Sequence, residues 1–378
     1  MSVATLGITG ATGFIGYFVR THAALRPGLR CVLCQDEWFE DSHAMDAFVQ
    51  QCDSILHLAA MNRTDGDPED IYRTNMRLVY TLRDALQRNP GPNHILFSSS
   101  TQESRDNPYG RSKREGGRVL QDWAKSAGAR CSLLTIPNVF GPFCRPFYNS
   151  VVATFCHQLV HGEQPRIDID AEIPLIYVVD LAESILNAVQ QTHERDGLVE
   201  FRPERRSVSW LLRELQSFSA AYLDEGRVPS FASPFDTALF NTFRSYIPSD
   251  RRRFEPPMRS DARGYLVEIL KSLSGGQIFF SRTLPGVTRG NHFHTRKVER
   301  FCVVEGQASI RLRRTGTATC DEYHVTGSRP VFIDMPVYYT HSIENTGSSA
   351  LLTLFWSNEI YNPDDADTHI DPVVQEPQ

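Results

Sequence analysis

A glycine-rich turn set directly after a short apolar run constrains this fold more than any other feature. Ala4 to Ile8 leads into Gly10-Ala-Thr-Gly13-Phe-Ile-Gly16, and an amphipathic stretch follows. Run, turn and helix in that order form the first βα unit of a parallel sheet. Gly10 and Gly13 let backbone amides approach a pyrophosphate at the start of the helix that Phe14 and Ile15 open, and Gly16 lets helix and strand pack closely. The alternation continues through Cys31 to Leu33, Ser54 to Leu58, His94 to Ser98 and Ser132 to Ile136, with helix-like segments between. It predicts an α/β, Rossmann-type, doubly wound parallel sheet.

From about Arg263 the texture changes to short β-branched or aromatic runs between glycine and asparagine turns: Gln277 to Arg282, Arg300 to Val304, Ala308 to Arg313 and Leu351 to Trp356. These predict a small all-β barrel. A chain of 378 residues suits two domains, and the seam is expected at Pro248 to Pro257, where periodicity fails. The division is therefore 1–247 and 248–378. Arg251-Arg252-Arg253 reads as solvated linker, and Asp371 to Gln378 as a loose tail.

A net charge of −6 without a basic block leaves no footprint for nucleic acid or an anionic membrane. No apolar run approaches the roughly 20 residues that span a bilayer. Cys31-Val-Leu-Cys34 has redox spacing but falls in a predicted strand without a second pair, so it reads as core. With scattered cysteines and no signal-like N-terminus, a cytoplasmic location is expected.

His57-Leu58-Ala59-Ala60, Asn75, Ser98-Ser-Ser100 and Tyr109-Gly-Arg-Ser-Lys113 follow the glycine turn in order. With the GxxGxxG spacing, these segments resemble the extended short-chain dehydrogenase/reductase family. The resemblance implies cofactor contacts from Leu58, Ala59, Ala60, Asn75 and Lys113. Tyr109 and Lys113 sit one helical turn apart, so the ammonium can lower the phenol's pKa and reach the cofactor ribose. Tyr109 then donates a proton to a carbonyl that receives hydride. Ser100, by its place in the family pattern, would hydrogen-bond the same oxygen, with Ser99 in reserve. Asn138-Val-Phe-Gly141-Pro142 resembles the family's segment around the nucleotide sugar, although Thr135 stands where many relatives have arginine. Asp36, 20 residues beyond Gly16, is placed to bind the ribose hydroxyls of NAD.

A second constellation lies in the barrel. Gly286-x5-His292-x-His294-x4-Glu299-x6-Gly306 matches the first cupin motif, and Pro336-x-Tyr338-x2-His341-x3-Asn345 resembles the second, with tyrosine where glycine is usual. His292 and His294 face the same side of one strand, Glu299 re-enters after a turn, and His341 arrives from a distant strand. Three nitrogens and a carboxylate suit zinc or another divalent metal. Such a metal polarises a carbonyl, so that the adjacent C–H can lose its proton. Tyr338, Tyr339 and His324 are candidate proton carriers, and Tyr338 reads equally as core filling.

The fusion resembles the CapF family of bifunctional capsular polysaccharide and O-antigen enzymes. Matching runs include Asp106-Asn-Pro-Tyr109, Tyr148-Asn149-Ser-Val-x-Ala-Thr-Phe155, Gly290-Asn-His292-x-His294 and Pro336-Val-x-Tyr-Thr-His341. The resemblance implies a UDP-linked 4-ketosugar substrate. The barrel would epimerise carbon 3 of a UDP-2-acetamido-2,6-dideoxy-4-hexulose, and the first domain would reduce carbon 4 with NADPH. The product would be a UDP-N-acetyl-6-deoxytalose, precursor of N-acetyl-L-fucosamine. Asp36 favours NADH and the family NADPH, so the cofactor choice stays open. Asn138, Asn149 and Tyr338 are candidate substrate contacts, and a homodimer is expected. The alternatives are a ketosugar reductase with a structural cupin, or a nicotinamide- or sugar-binding protein without turnover.

Overall fold

A computed structural model describes residues 4–190, 199, 201–255, 258–261, 264–267, 271–272 and 275–374. The first part runs β1 (Ala4–Thr9), α1 (Phe14–Ala24), β2 (Leu29–Leu33), α2 (Ser42–Gln50), β3 (Ser54–His57), α3 (Glu69–Arg88), β4 (His94–Ser100), α4 (Pro108–Ala127) and β5 (Arg130–Ile136). The five strands are parallel, in the order β2-β1-β3-β4-β5. The order reverses between β1 and β3, which places a ligand crevice at the C-terminal ends of those strands.

The apolar runs are continuous because the central strands are covered on both faces; every residue of β3 and β4 is buried. On α3 the apolar face recurs as Met76, Val79, Leu82 and Leu86. Val79, Leu82 and Leu86 pack with Phe48 of α2 and Leu120 and Trp123 of α4 against Ile55, Ile95 and Phe97. Each such side chain contributes about 1.5–3 kcal/mol by burial. Helix α4 starts where the Asn107 side chain accepts from the Gly110 amide at 2.7 Å, and it stops at Gly128, left-handed at φ 66°.

Beyond β5 come β6 (Asn138–Phe140), α5 (Val151–Val160), β7 (Glu172–Tyr177), α6 (Val178–Gln190), β8 (Glu204–Ser207), α7 (Val208–Phe218) and α8 (Pro234–Ser245). Strands β6, β7 and β8 form a small separate sheet. The C-terminal region is all-β, with two five-stranded antiparallel sheets. One orders 253–254, 332–335, 299–305, 351–357 and 277–283; the other orders 320–326, 307–314, 339–345, 288–293 and 369–370. Phe301, Val303, Ile310, Leu312, Ile333, Ile343 and Phe355 fill the space between them.

Contacts divide the chain into Met1–Ser150 with Ala171–Ser207, and Val151–Asp170 with Val208–Gln378. Segments 151–170 and 208–247, placed with the first domain on sequence, thus pack with the barrel. A buried knot explains part of this. Arg300 Nε reaches Asp334 Oδ1 at 2.8 Å, Arg244 lies 3.6 Å from Asp334 Oδ2, and the Tyr222 hydroxyl donates to the same carboxylate.

Two sequence expectations are corrected here. Arg252 is not solvated linker: it is buried, donates to the Ile247 carbonyl at 3.1 Å and stacks on the Tyr339 ring. The tail is not loose through Val373, which is buried, while Asp371 accepts from buried Arg313 at 2.7 Å; positions 375–378 lie outside the described residues. Cys31 and Cys34 are free, and burial pushes their thiols up to about 11 and about 12. Among the described residues no helix is long and apolar enough to cross a membrane.

Candidate active site

A cavity of about 720 Å³ opens at the switch point of the parallel sheet. Gly10, Gly13, Phe14, Ile15 and Gly16 line it with Leu58, Ala60, Ser98, Ser99, Ser100, Tyr109, Lys113, Asn138 and Asn149. Gly10 is left-handed at φ 66°, and a Cβ there would stand 2.8 Å from the Ala59 amide nitrogen. At Gly16 a Cβ would collide with the Gly10 carbonyl. The close approach that requires glycine is therefore helix against turn, where the sequence reading expected helix against strand. The Thr9 hydroxyl accepts from the Leu58 and Ala59 amides at 3.2 Å each, tying the two loops together.

Three expected cofactor residues do not line the cavity. Ala59 backs Gly10. Asn75 is buried: its amide donates to the Met61 carbonyl and the Ser112 hydroxyl, and its oxygen accepts from the Met61 amide at 2.7 Å. It thus holds the loop after β3. Asp36 is exposed in the short helical turn after β2.

Tyr109 is in the first turn of α4 and Lys113 in the next. Burial pushes the phenol's pKa up, a Ser100 hydrogen bond pulls it down, and nearby Tyr148 raises it. Lys113 is not among the groups that shift the phenol, so the lowering expected from its ammonium is not found. Burial also brings the Lys113 ammonium down to about 7; it donates to the Ser98 hydroxyl at 3.2 Å and lies 5.6 Å from the Tyr109 ring centre. Ser99 donates to Glu103, so the hydroxyl beside Tyr109 is that of Ser100.

The sequence reading gave no role to several cavity residues. Tyr148 donates to Asn62, and its ring is capped by the Arg145 guanidinium at 5.2 Å. Arg63 holds the backbone oxygens of Phe147 and Tyr148 at 3.0 and 3.3 Å, fixing a loop in which Phe143 and Phe147 have positive φ. A basic residue within the run ending in Tyr148-Asn149 was the available signal.

In the barrel, His292, His294, Glu299 and His341 converge, with one ligand atom from each within 4.8 Å of all the others. His292 stands opposite His341 across two paired strands, and Glu299 opens a strand of the facing sheet. Glu299 Oε2 lies 3.4 Å from Nε2 of both His294 and His341. Burial raises the Glu299 carboxyl, but the two imidazoles outweigh it and hold it well below the usual carboxylate range. His292 is brought down to about 4 by burial and its histidine neighbours. Nε2 of His294 and of His341 are buried without a hydrogen-bond partner. Buried orphan nitrogens around a carboxylate fit a divalent metal.

The expected proton carriers are placed differently. His324 is exposed, next to Tyr323, whose ring packs on the core, so strand alternation turns His324 outward. Tyr339 accepts from Arg252 at 3.0 Å. Tyr338 is fully buried beside Phe293 at φ 59°, the left-handed backbone that explains why glycine is usual there.

Residues 6–199 match the NAD dependent epimerase/dehydratase family, and 259–369 match the polysaccharide biosynthesis C-terminal domain. A UDP-2-acetamido-2,6-beta-L-arabino-hexul-4-ose reductase of Pseudomonas aeruginosa is 33% identical over 96% of this chain and 97% of its own. The chain belongs to the CapF-like branch of the epimerase/dehydratase family. The capsular polysaccharide assembling protein CapF of Staphylococcus aureus superposes with a TM-score of 0.61 at 31% identity, over 98% of this chain and 100% of that one. The spore coat polysaccharide biosynthesis protein SpsL of Bacillus subtilis is 25% identical over 29% of this chain and 78% of its own. CapF-like membership brings a nicotinamide cofactor with it, and the glycine turn and Lys113 are the groups in the cavity suited to hold one.

Proposed function

We propose that this chain is a bifunctional nucleotide-sugar enzyme: the barrel epimerises carbon 3 of a UDP-2-acetamido-2,6-dideoxy-4-hexulose, and the N-terminal unit then reduces the 4-keto group with NADPH. The observation that carries the reading is the convergence of His292, His294, Glu299 and His341 in a chain whose other unit holds Ser100, Tyr109 and Lys113 in one cavity. The end-to-end relative reduces a 4-ketosugar by its name. A single ketone serves both steps, since it acidifies the neighbouring C–H and afterwards accepts hydride.

A bound divalent metal, zinc by its donor set, would supply Lewis acidity at the ketone oxygen. The three imidazoles and Glu299 would hold it. In the cavity, Tyr109 would give its proton to the ketone oxygen as carbon 4 takes hydride from the nicotinamide, and Ser100 would stabilise the charge developing there. A phenol kept protonated by burial suits a donor. Lys113 would contact the ribose, Asn138 and Asn149 the sugar, and Arg145 the diphosphate, in place of the arginine that Thr135 displaces. The product is a UDP-N-acetyl-6-deoxytalose. Two copies would pair as a homodimer; the edge strand Gln277–Thr283 exposes Ile278 and Phe280.

A second reading, favoured by four protein ligands where catalytic zinc sites often have three, keeps the reductase and makes the metal structural. Glu299→Ala separates them. A catalytic centre loses carbon-3 exchange while NADPH oxidation at 340 nm by pre-epimerised sugar continues. If exchange survives and only the melting temperature falls, the structural reading holds.

A further inference from the structure

Asp367 lies outside both barrel motifs, on the segment between the strands Leu351–Ser357 and His369–Ile370. Its side chain is 1% exposed and its backbone is left-handed at φ 43°. Asp367 Oδ1 accepts from the Thr295 amide at 2.9 Å and hydroxyl at 2.6 Å; Oδ2 accepts from the Arg296 and Lys297 amides at 3.0 and 2.9 Å. These three residues form the turn that carries the chain from His294 to Glu299. The Asp367 carbonyl, meanwhile, takes Nδ1 of His294. A carbonyl can only accept, so Nδ1 carries the proton and Nε2 presents its lone pair. That Nε2 is buried, makes no hydrogen bond and faces the Glu299 carboxylate at 3.4 Å.

Further ties press the same segment onto the turn. Arg296 binds Glu359 at 3.0 Å and Asp365 at 2.8 Å, and the Lys297 ammonium donates to the Ala366 carbonyl. His369 pairs with Asp367 Oδ1 at 3.3 Å and packs on Phe293. The left-handed backbone lets one residue aim carbonyl and carboxylate at adjacent parts of the same turn.

We propose that Asp367 is a positioning residue for the metal centre, fixing the tautomer and direction of His294 through its carbonyl and the placement of Glu299 through its carboxylate. The inference rests on the reading that these ligands hold a divalent metal. The turn's three amides would otherwise lack this acceptor, so loss of the carboxylate loosens the turn that places Glu299 and, with it, the fit of the Asp367 carbonyl against His294.

The test uses the full chain stripped of metal and titrated with cobalt(II), whose visible absorption reports ligand geometry, and with zinc against a chelating dye. Asp367→Ala and Asp367→Asn are each expected to weaken metal binding by about 10- to 100-fold and to shift the cobalt bands, with NADPH binding unchanged. Asparagine tolerates positive φ and keeps one acceptor oxygen, so Asp367→Asn carries the test if the alanine variant does not fold. Wild-type cobalt uptake with unaltered affinity and spectrum in the asparagine variant overturns the role of Asp367, even if its melting temperature falls. No uptake by wild-type protein overturns the metal reading beneath it.

Discussion

Tyr109 and Lys113 show how burial sets chemistry at the level of single side chains. Tyr109→Phe removes the proposed proton donor and nothing else of similar size, so reductase turnover is expected to fall about 10²- to 10⁴-fold while NADPH still binds, measured by absorbance at 340 nm and by cofactor titration. Lys113 titrates near 7 when folded, below its unfolded value, so the buried ammonium opposes folding at low pH and the penalty fades as pH rises from 7 toward 10. In the cofactor-free protein, Lys113→Met should therefore raise the melting temperature most near about pH 6 and least near about pH 10; a gain independent of pH would contradict the burial. The positions of these residues were legible because Asn107-Pro108 marks a helix start, the spacing of four puts the pair on adjacent turns, and the glycine turn and Ser98-Ser-Ser100 precede them in family order. The rise in the phenol's pKa was not, because desolvation is a property of neighbours that no spacing shows. Tyr338 is a similar case: its departure from glycine was visible, but the left-handed backbone beneath it was not.

Among elements, the apolar runs read well and the polar ties between them read poorly. Runs such as His94–Ser100 declare themselves because a strand covered on both faces must be apolar throughout its middle. Asn75 was read as a cofactor contact, Arg252 as solvated linker, and Asp367 stands outside every motif, yet each pins a loop or turn through hydrogen bonds. The ties of α8 and of the turn after α7 to the barrel were hidden for the same reason, since they run through Tyr222, Arg244, Arg300 and Asp334. Removing the carboxylate would strand two buried guanidinium groups. Asp334→Ala is expected to destabilise the unit by about 3–5 kcal/mol in chemical denaturation, with NADPH binding to the other unit preserved. A loss below about 1 kcal/mol would mean the knot is hydrated or dispensable.

For the molecule as a whole, two chemistries on one chain make sense when both act on the same carbonyl. Edge-strand pairing would bring two copies together, and Phe280→Asp is expected to shift the mass seen by light scattering from dimer to monomer; a wild-type monomer would contradict the pairing. The proposed sequence of steps requires that epimerisation need the metal and no nicotinamide. The most direct measurement is therefore proton exchange in heavy water, with Tyr109→Phe protein, the 4-ketosugar and no NADPH, read by NMR. Deuterium should enter at carbon 3 with metal-loaded protein, vanish after chelation and return when zinc is restored. Metal-loaded protein that leaves carbon 3 unlabelled would contradict the account.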